Sequence, residues 1–356
     1  MKELQYKDFS LKTHQRNWQS GSVNLCQFEL TFKCDFHCKY CYSDCYNKKE
    51  LIKKELSTEQ VKSTLDRLYL LGVIWLCFTG GDPLAREDFF EIYDYAKKLG
   101  FIITIFTTSY SINEEIVKRL QKKPPFVIEI TLNSIRKDTF EEISGLKDSF
   151  SKSMQGLRLL IKNKMPLKIK TILINDNVKE IWQIRRFVES LNLKFFPDFY
   201  IRARLNNEQF PCSLRLSPRE ALLINKQVDP QLSFFKECSR SDGKANQEDS
   251  PFYCSAGCGS SLTLTPYGQI LFCPFLRNEC SDILTSPIEE ALIVFRDMRQ
   301  RGYVTDSKCR FCQLKKHCFT CPGDAYLETG DLEAPIKWWC EMASLVSDDY
   351  SKTKDC

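Results

Sequence analysis

Hydrophobic and polar positions between residues 24 and 204 alternate between short apolar runs and amphipathic segments. The apolar runs are rich in β-branched and aromatic side chains and are of strand length. Six strands are predicted: VNLCQFELTF (23–32), IWLCFTG (74–80), FIITIFTT (101–108), FVIEITL (126–132), LKIKTILI (167–174) and LKFFPDFYI (193–201). Because helix-like segments separate them, the pattern predicts a parallel α/β fold, either a barrel or an open sheet.

Two of the intervening helices carry clear start signals. Ser57 is followed three residues later by Gln60, which is a capping box, and Gly72 marks the end of the same helix. Asn177 with Glu180 has the same spacing and predicts a second helix start.

The pattern changes after residue 204. Polar, turn-rich stretches surround one helix-like piece at 218–228, so residues 205–250 are predicted to be a linker. Residues 251–356 are rich in cysteine and contain a hairpin signal that turns at Tyr267 and Gly268. We predict a small, metal-stapled second domain there, after a core domain at 24–204 and an N-terminal extension at 1–23.

Charge and hydropathy exclude several function classes. The chain carries a formal net charge of +5, and its basic residues are scattered, so no nucleic-acid surface is predicted. The longest apolar run, residues 68–78, is shorter than the ~20 residues that span a bilayer. The polar N-terminus lacks a signal-peptide core. We therefore predict a cytoplasmic protein with neither membrane nor nucleic-acid partners.

Cysteine dominates the candidate chemistry, with 18 cysteines against three histidines. In a reducing compartment cysteines favour metal or catalytic roles over disulfides. Cys34, Cys38 and Cys41 follow a C-x3-C-x2-C spacing directly after the first predicted strand. Three thiolates on a four-iron cluster leave one iron open, and parallel α/β folds bind ligands at the carboxyl ends of their strands.

This cysteine spacing, with Tyr40 before the third cysteine, resembles the radical S-adenosylmethionine (SAM) superfamily. The stretch FTGGDPL (78–84) follows the second strand and is similar to the GGEP element of that family, with Asp82 in place of Glu. Gly80 and Gly81 would allow a close backbone approach to the ligand, and carbonyls there could accept from the SAM amino group. The resemblance implies a partial (β/α)6, TIM-like barrel.

Other SAM contacts follow from the resemblance less directly. The fourth-strand position where the family carries Ser or Thr matches Thr131, and a common family arginine is replaced here by Ser144. That departure removes the cation that would contact the SAM carboxylate. Lys170, or Lys168 on the same strand, could supply the missing cation, although a solvated lysine is the plainer interpretation of either.

The resemblance also implies an enzyme mechanism. SAM would chelate the open iron, and one electron would cleave it to methionine and a 5′-deoxyadenosyl radical that abstracts hydrogen from the substrate. Cluster and cofactor carry this chemistry, while the protein positions and shields. An electron donor such as flavodoxin or ferredoxin would be required.

The C-terminal cysteines resemble the SPASM extension of radical SAM enzymes, which holds two auxiliary [4Fe–4S] clusters. They fit C-x9-G-x4-C and C-x2-C-x5-C-x2-C, whose last gap in the family is usually x3. The resemblance assigns one auxiliary cluster to Cys254, Cys258, Cys273 and Cys321. It assigns the other to Cys309, Cys312, Cys318 and Cys340, which gives three [4Fe–4S] clusters in all. The alternative is one zinc site formed by Cys309, Cys312, Cys318 and Cys321.

Most enzymes of this type modify peptides or proteins, so the leading hypothesis is maturation of a ribosomally made precursor peptide by crosslinking, excision, epimerisation or oxidation. Many such maturases carry an N-terminal leader-binding module, yet only 33 residues precede Cys34. We therefore expect a separate leader-peptide-binding protein as a partner.

Three alternatives remain open. Anaerobic sulfatase maturases place an Asp after the cysteine of the G-x4-C element, where this chain has Pro274, which cannot act as a base. Asp282 or Asp324 could replace it, although both are expected to be solvated loop carboxylates. The second alternative is small-molecule decarboxylation or dehydrogenation, and the third is a zinc-binding interaction module without activity.

Overall fold

A nine-stranded sheet in the order β6-β5-β4-β3-β2-β1-β7-β8-β9 organises the chain. The structure is a computed structural model that describes residues 5–20, 22–228, 249–252 and 260–354. Strands β1 to β6 pair in parallel, and all six match the predicted runs within a few residues. The strands are β1 Leu25–Thr31, β2 Trp75–Gly80, β3 Ile102–Thr107, β4 Val127–Thr131, β5 Leu167–Ile172, β6 Phe195–Asp198, β7 Ser261–Leu264, β8 Gln269–Cys273 and β9 Leu276–Asp282.

Side chains alternate between the two faces of the parallel sheet. Phe28, Phe78 and Ile130 lie on the face covered by helices and are at most 1% exposed. On the opposite face the registers place polar residues beside one another, with Glu29 next to Thr79 and a row of lysines on β5. One face is therefore a hydrophobic core, and the other is a polar surface that can receive a ligand. The α/β architecture is the one expected from the sequence.

The described helices run mainly between the strands. Ser57 caps α3 through the predicted capping box with Gln60, which is confirmed. The helix start predicted at Asn177 is wrong, because its side chain makes no cap and α8 begins at Ile181, after a 3-10 turn. The helices are α1 Tyr6–Ser20, α2 Lys49–Ile52, α3 Thr58–Leu70, α4 Phe89–Leu99, α5 Glu114–Lys122, α6 Lys137–Ser144, α7 Ser149–Lys162, α8 Ile181–Ser190, α9 Pro218–Val228, α10 Ile288–Gln300, α11 Pro322–Thr329 and α12 Lys337–Lys354.

The C-terminal strands extend the main sheet. Strand β7 pairs in parallel with β1, opposite Leu25 to Phe28, and then forms the predicted hairpin with β8. Gly268 turns that hairpin with a φ of 84°, which favours glycine. The cysteine-rich region therefore lies directly beside the first strand of the barrel.

Helix α9 packs against α12, and helix α1 packs at the start of two strands. Leu222 on α9 packs with Trp339 and Met342 on α12, so the described part of the 205–250 segment contributes to a second hydrophobic cluster. At the other end of the strands, Tyr6 on α1 accepts a 2.9 Å hydrogen bond from the indole nitrogen of Trp75. Its ring packs against that of Phe126 in a tilted arrangement, with centroids 4.6 Å apart, so α1 covers the start of β2 and β4.

Candidate SAM and iron–sulfur site

The loop that carries Cys34, Cys38 and Cys41 is fixed at both ends. The amide side chain of Asn47 donates to the carbonyl of Cys34 at 2.8 Å and accepts from its backbone N–H at 3.3 Å. Further along, the N–H of His37 donates to the carbonyl of Ser144 at 2.9 Å. The loop therefore lies between β1 and the end of α6.

Gly145 is a site residue that the sequence analysis missed. It ends α6 with a φ of 67°, and a Cβ there would lie 2.8 Å from the carbonyl oxygen of His37. Any side chain at this position would press on the cysteine loop. A glycine directly after the matched Ser144 was the only available signal, and it resembles an ordinary helix C-cap.

Burial controls the protonation of the three thiols. Desolvation raises the pKa of Cys34, Cys38 and Cys41 above the ordinary value of a thiol. The contacts that oppose this rise are weak, such as the N–H of Phe36 at 3.4 Å from the Cys34 sulfur. Thiolates at these positions therefore need a strong cation, which an iron–sulfur cluster supplies. The three side chains fit that group.

Among the residues that the structure describes, no group of three or more His, Cys, Asp or Glu side chains is placed to hold a single metal ion. A four-iron cubane takes one thiolate at each iron, so its ligands stand farther apart than those of one ion.

The glycines of the GGDP element contact the protein backbone. A Cβ on Gly80 would lie 2.1 Å from the carbonyl oxygen of Thr31, and one on Gly81 would lie 2.3 Å from that of Lys33. The N–H of Gly81 donates to Thr31 at 2.6 Å. In the structure the two glycines thus let the end of β2 approach the start of the cysteine loop.

Asp82 connects the same element to β3. Its buried carboxylate accepts from the hydroxyl of Thr107 at 2.8 Å, and from the N–H and the hydroxyl of Thr108 at 2.9 and 2.8 Å. It also accepts from the N–H of Leu84 at 3.1 Å. Burial raises the pKa of Asp82, and these four donors offset part of that rise. Asp82 holds the carboxyl ends of β2 and β3 together.

A cleft opens beside the cysteine loop. It brings together four residues that the sequence analysis proposed from different parts of the chain: Cys38, Tyr40, Thr131 and Ser144. Its other lining residues are Phe36, Thr108, Asn133 and Phe140. The cleft therefore combines a cysteine ligand with hydroxyl groups and aromatic walls, which suits a cofactor with polar and adenine parts.

Asn133 is a second residue that the sequence analysis missed. Its side-chain nitrogen donates to the hydroxyl of Tyr40 at 2.7 Å, and its oxygen accepts from the N–H of Ile172 at 2.9 Å. Asn177 in turn donates to the carbonyl of Asn133 at 2.9 Å. Tyr40 is thereby fixed against the strand end, with its hydroxyl near the sulfur of Cys38.

Ser144 lies in the cleft where the family arginine was expected. Its hydroxyl is 2.9 Å from that of Ser149, at the start of α7, and both side chains are buried. The two lysines considered as replacement cations already have partners. Lys170 forms a 2.7 Å ion pair with Asp198, and Lys168 forms one of the same length with Glu129.

Four of the C-terminal cysteines lie together. Neighbouring thiols contribute to the raised pKa values of Cys309, Cys318 and Cys340, and Cys312 is among those neighbours. Helix α12, which carries Cys340, packs against the short 3-10 helix Lys315–His317. The grouping matches the second auxiliary ligand set.

Cys321 lies near Cys273, at the start of α11. The N–H of Asp324 is 3.3 Å from the Cys321 sulfur, and a Cβ on Gly323 would lie 3.3 Å from the Cys273 sulfur. Cys254 and Cys258, the other two residues of the first auxiliary set, lie outside the described residues.

One expectation about carboxylates is wrong. Asp324 was expected to be solvated, yet it is 2% exposed and accepts a 2.6 Å hydrogen bond from Arg202. Asp282 is exposed as expected, and it accepts from the N–H of Leu284. The long separation of Arg202 and Asp324 along the chain hid their pairing.

Within the described residues, no helix is both long enough and apolar enough to span a bilayer.

The chain is similar in sequence to several known proteins. Residues 28–188 match the family model of the Radical SAM superfamily. An AdoMet-dependent heme synthase from Methanosarcina barkeri is 23% identical over 334 residues, covering 88% of this chain and 95% of the relative. A PqqA peptide cyclase from Streptomyces rochei is 26% identical over 313 residues, covering 83% of this chain and 80% of the relative.

Solved structures show the same fold. SuiB from Streptococcus suis, bound to S-adenosylmethionine, has a TM-score of 0.65 at 14% identity and covers 96% of this chain and 82% of its own. The structure of SuiB bound to precursor peptide SuiA has the same TM-score and identity, with 94% and 80% covered. The family match gives the chain a radical SAM domain at residues 28–188, and this domain indicates an enzyme that catalyses radical chemistry.

Proposed function

We propose that this enzyme uses SAM and a [4Fe–4S] cluster to modify a ribosomally synthesised precursor peptide. One observation carries the proposal: a single cleft joins Cys38 of the cysteine loop to Thr131 and Ser144, the positions assigned to SAM binding. The cleft lies at the carboxyl ends of the parallel strands, where ligands of such folds bind.

The residues have distinct roles in this proposal. Cys34, Cys38 and Cys41 would hold the cluster, and with SAM bound it supplies one-electron cleavage of the sulfonium to give a hydrogen-abstracting radical. Tyr40, fixed by Asn133, orients one wall of the cleft.

The carboxylate of SAM would be received without an arginine. The paired hydroxyls of Ser144 and Ser149 stand at the start of α7, where the backbone N–H groups favour negative charge. Neutral donors of this type bind a carboxylate less strongly than a guanidinium does. We therefore propose Ser144 as a SAM contact and leave Lys170 in its ion pair with Asp198.

Two auxiliary [4Fe–4S] clusters are proposed for the cysteine-rich region. The group of Cys309, Cys312, Cys318 and Cys340 would hold one, which agrees with the closeness of their thiols. Cys273 and Cys321, which lie near each other, would hold the other with Cys254 and Cys258.

Both a sequence relative and a structural neighbour support a peptide substrate. One sequence relative is a PqqA peptide cyclase, and a structural neighbour was solved with its precursor peptide. We propose a separate leader-peptide-binding protein and a flavodoxin or ferredoxin as further partners, with the cytoplasm as the location.

The deciding experiment is anaerobic reconstitution with iron and sulfide, followed by incubation with SAM, dithionite and the peptide encoded beside the enzyme. We expect 5′-deoxyadenosine together with a modified peptide. Loss of two hydrogen atoms would indicate a crosslink or an oxidation, and an unchanged mass with altered stereochemistry would indicate epimerisation. A peptide with its sequence scrambled is the matched control. Deoxyadenosine without any change in the peptide would refute the peptide proposal.

A small-molecule substrate is the second candidate, and one observation favours it. The heme synthase relative aligns over 88% of this chain. The polar face of the sheet also carries the Glu129–Lys168 and Lys170–Asp198 ion pairs, which could bind a polar small molecule. Decarboxylation of an iron porphyrin precursor, with no change in the peptide, would establish this candidate. Formylglycine formation is less favoured, because Pro274 replaces the acid and Asp324 is occupied by Arg202.

A further inference from the structure

Among the proposed cluster ligands that the structure describes, the group formed by Cys309, Cys312, Cys318 and Cys340 contains the exposed ones. Cys312 and Cys340 are exposed. Cys273 is buried, and the three cysteines of the N-terminal loop are half-buried. A cluster on this group would be the one most accessible to a partner protein.

The segment that carries Cys309, Cys312 and Cys318 is rich in positively charged residues. Residues 301–318 contain five Arg or Lys residues and a single acidic one, Asp306. Arg310 pairs with Asp249 at 2.8 Å, and Lys315 lies over the ring of Tyr303 at 4.6 Å.

Two of the lysines in this segment are unpaired. Lys308 and Lys316 are exposed and form no ion pair within the part of the chain that the structure describes. Both are close in sequence to the ligand candidates Cys309 and Cys318. They leave a surplus of positive charge at the surface.

Large apolar side chains stand in the same segment. Phe311 is 69% exposed and Val304 is 64% exposed. The segment is folded back on itself, because the amine of Lys315 donates to the carbonyl of Arg310 at 3.0 Å. An exposed aromatic side chain among cations is typical of protein interaction sites rather than of solvated surface.

We propose that Val304, Lys308, Phe311 and Lys316, together called the 304–316 surface, dock a small acidic electron-carrier protein. The inference rests on the proposed function, since reductive cleavage of SAM consumes one electron per event. A one-electron carrier such as reduced flavodoxin would lose that electron, and the enzyme would gain it through the adjacent cysteine group. The lysines match an acidic partner, and Phe311 supplies the apolar contact.

Binding of flavodoxin to the anaerobically reconstituted enzyme tests the proposal. At low ionic strength we expect the K308E/K316E variant to raise the Kd by about tenfold, because each lost charge contact contributes ~1 kcal/mol or less. The F311A variant should weaken binding as well. The K118E/K122E variant, which reverses two exposed lysines on α5, is the matched control and should stay within about twofold. Added salt should weaken the wild type more than K308E/K316E.

A second readout separates this inference from the function itself. With dithionite as the reductant, K308E/K316E should form deoxyadenosine as fast as the wild type, whereas with reduced flavodoxin it should be slower. Flavodoxin binding that is equally tight in K308E/K316E and the wild type would overturn the docking surface. If the wild type forms no deoxyadenosine with dithionite yet binds flavodoxin through these lysines, the proposed function fails and the surface stands.

Discussion

The guanidinium of Arg277 lies 2.8 Å from both carboxylate oxygens of Glu29. Glu29 is on β1, is fully buried, and faces away from the helices, while Arg277 is on β9. The ion pair therefore joins the first barrel strand to the cysteine-rich region across two intervening strands.

Replacing Arg277 by Met should destabilise the protein by about 3 kcal/mol near neutral pH, because it leaves a buried carboxylate without its partner. Burial raises the pKa of Glu29, and Arg277 offsets part of that rise. Without Arg277 the folded-state pKa rises further. The penalty should therefore shrink as the pH falls through that value and vanish below about pH 4.3, where the unfolded state is also protonated. Urea unfolding across pH measures it.

The double variant E29Q/R277M is the control for this ion pair. Since it removes both charges, its stability should lie closer to that of the wild type and should depend less on pH. A double variant as unstable as R277M would show that packing, rather than the unpaired charge, causes the loss.

Substituting Gly81 by Ala should displace the cysteine loop. The new Cβ would lie 2.3 Å from the carbonyl oxygen of Lys33, which cannot move without moving Cys34. We expect the reconstituted variant to contain about four fewer irons per chain, which is one cluster. Gly100→Ala is the control, since Gly100 has a φ of 94° but nothing within 4 Å of a Cβ, and it should cost about 1 kcal/mol without loss of iron. Full iron content in G81A would contradict the account.

Removing the carboxylate of Asp82 should cost about 3 kcal/mol in the Asp82→Ala variant, because several buried donors lose their acceptor. Asp82→Asn keeps one acceptor oxygen and should cost less. The surface carboxylate of Asp94, which pairs with Lys123, is the comparison, and Asp94→Ala should cost about 0.5 kcal/mol or less. Chemical denaturation measures all three. Equal losses for Asp82 and Asp94 would show that the buried network does not hold the strand ends.

Replacing Tyr40 by Phe should weaken SAM binding by about tenfold while the protein stays folded, because the lost hydroxyl frees Asn133 to move into the cleft. Equilibrium binding of SAM to reconstituted enzyme measures the change. Tyr69→Phe, at an exposed position on α3, should have no effect. Unchanged SAM affinity in Y40F would remove Tyr40 from the proposed site.

The strands could be predicted because buried parallel strands are short apolar runs. The runs around Phe78 and Ile105 need no knowledge of their neighbours to be recognised. The cysteine loop could also be predicted, because the spacing of its three cysteines is visible within one short stretch of sequence.

Features that depend on long-range contacts could not be predicted. Asn177 and Glu180 have the spacing of a capping box, yet Asn177 binds Asn133, and Glu180 binds Ser134 and Thr139. The helix start was therefore misplaced, because these partners lie more than 40 residues away and outweigh the local signal.

Close contacts of the backbone are also difficult to predict from the sequence, because they depend on which strands are neighbours. The sequence indicated that Gly80 and Gly81 must approach something closely, and only the strand order shows that they approach the backbone of Thr31 and Lys33. The buried pair of Arg202 and Asp324 is hidden for the same reason.

The most direct test of the account is the production of 5′-deoxyadenosine from SAM by anaerobically reconstituted enzyme under dithionite. We predict that the wild type and Cys45→Ala produce it, because Cys45 lies outside the proposed ligand sets, and that the triple variant C34A/C38A/C41A does not. Deoxyadenosine from the triple variant, or none from a wild type fully loaded with iron and sulfide, would contradict the central claim.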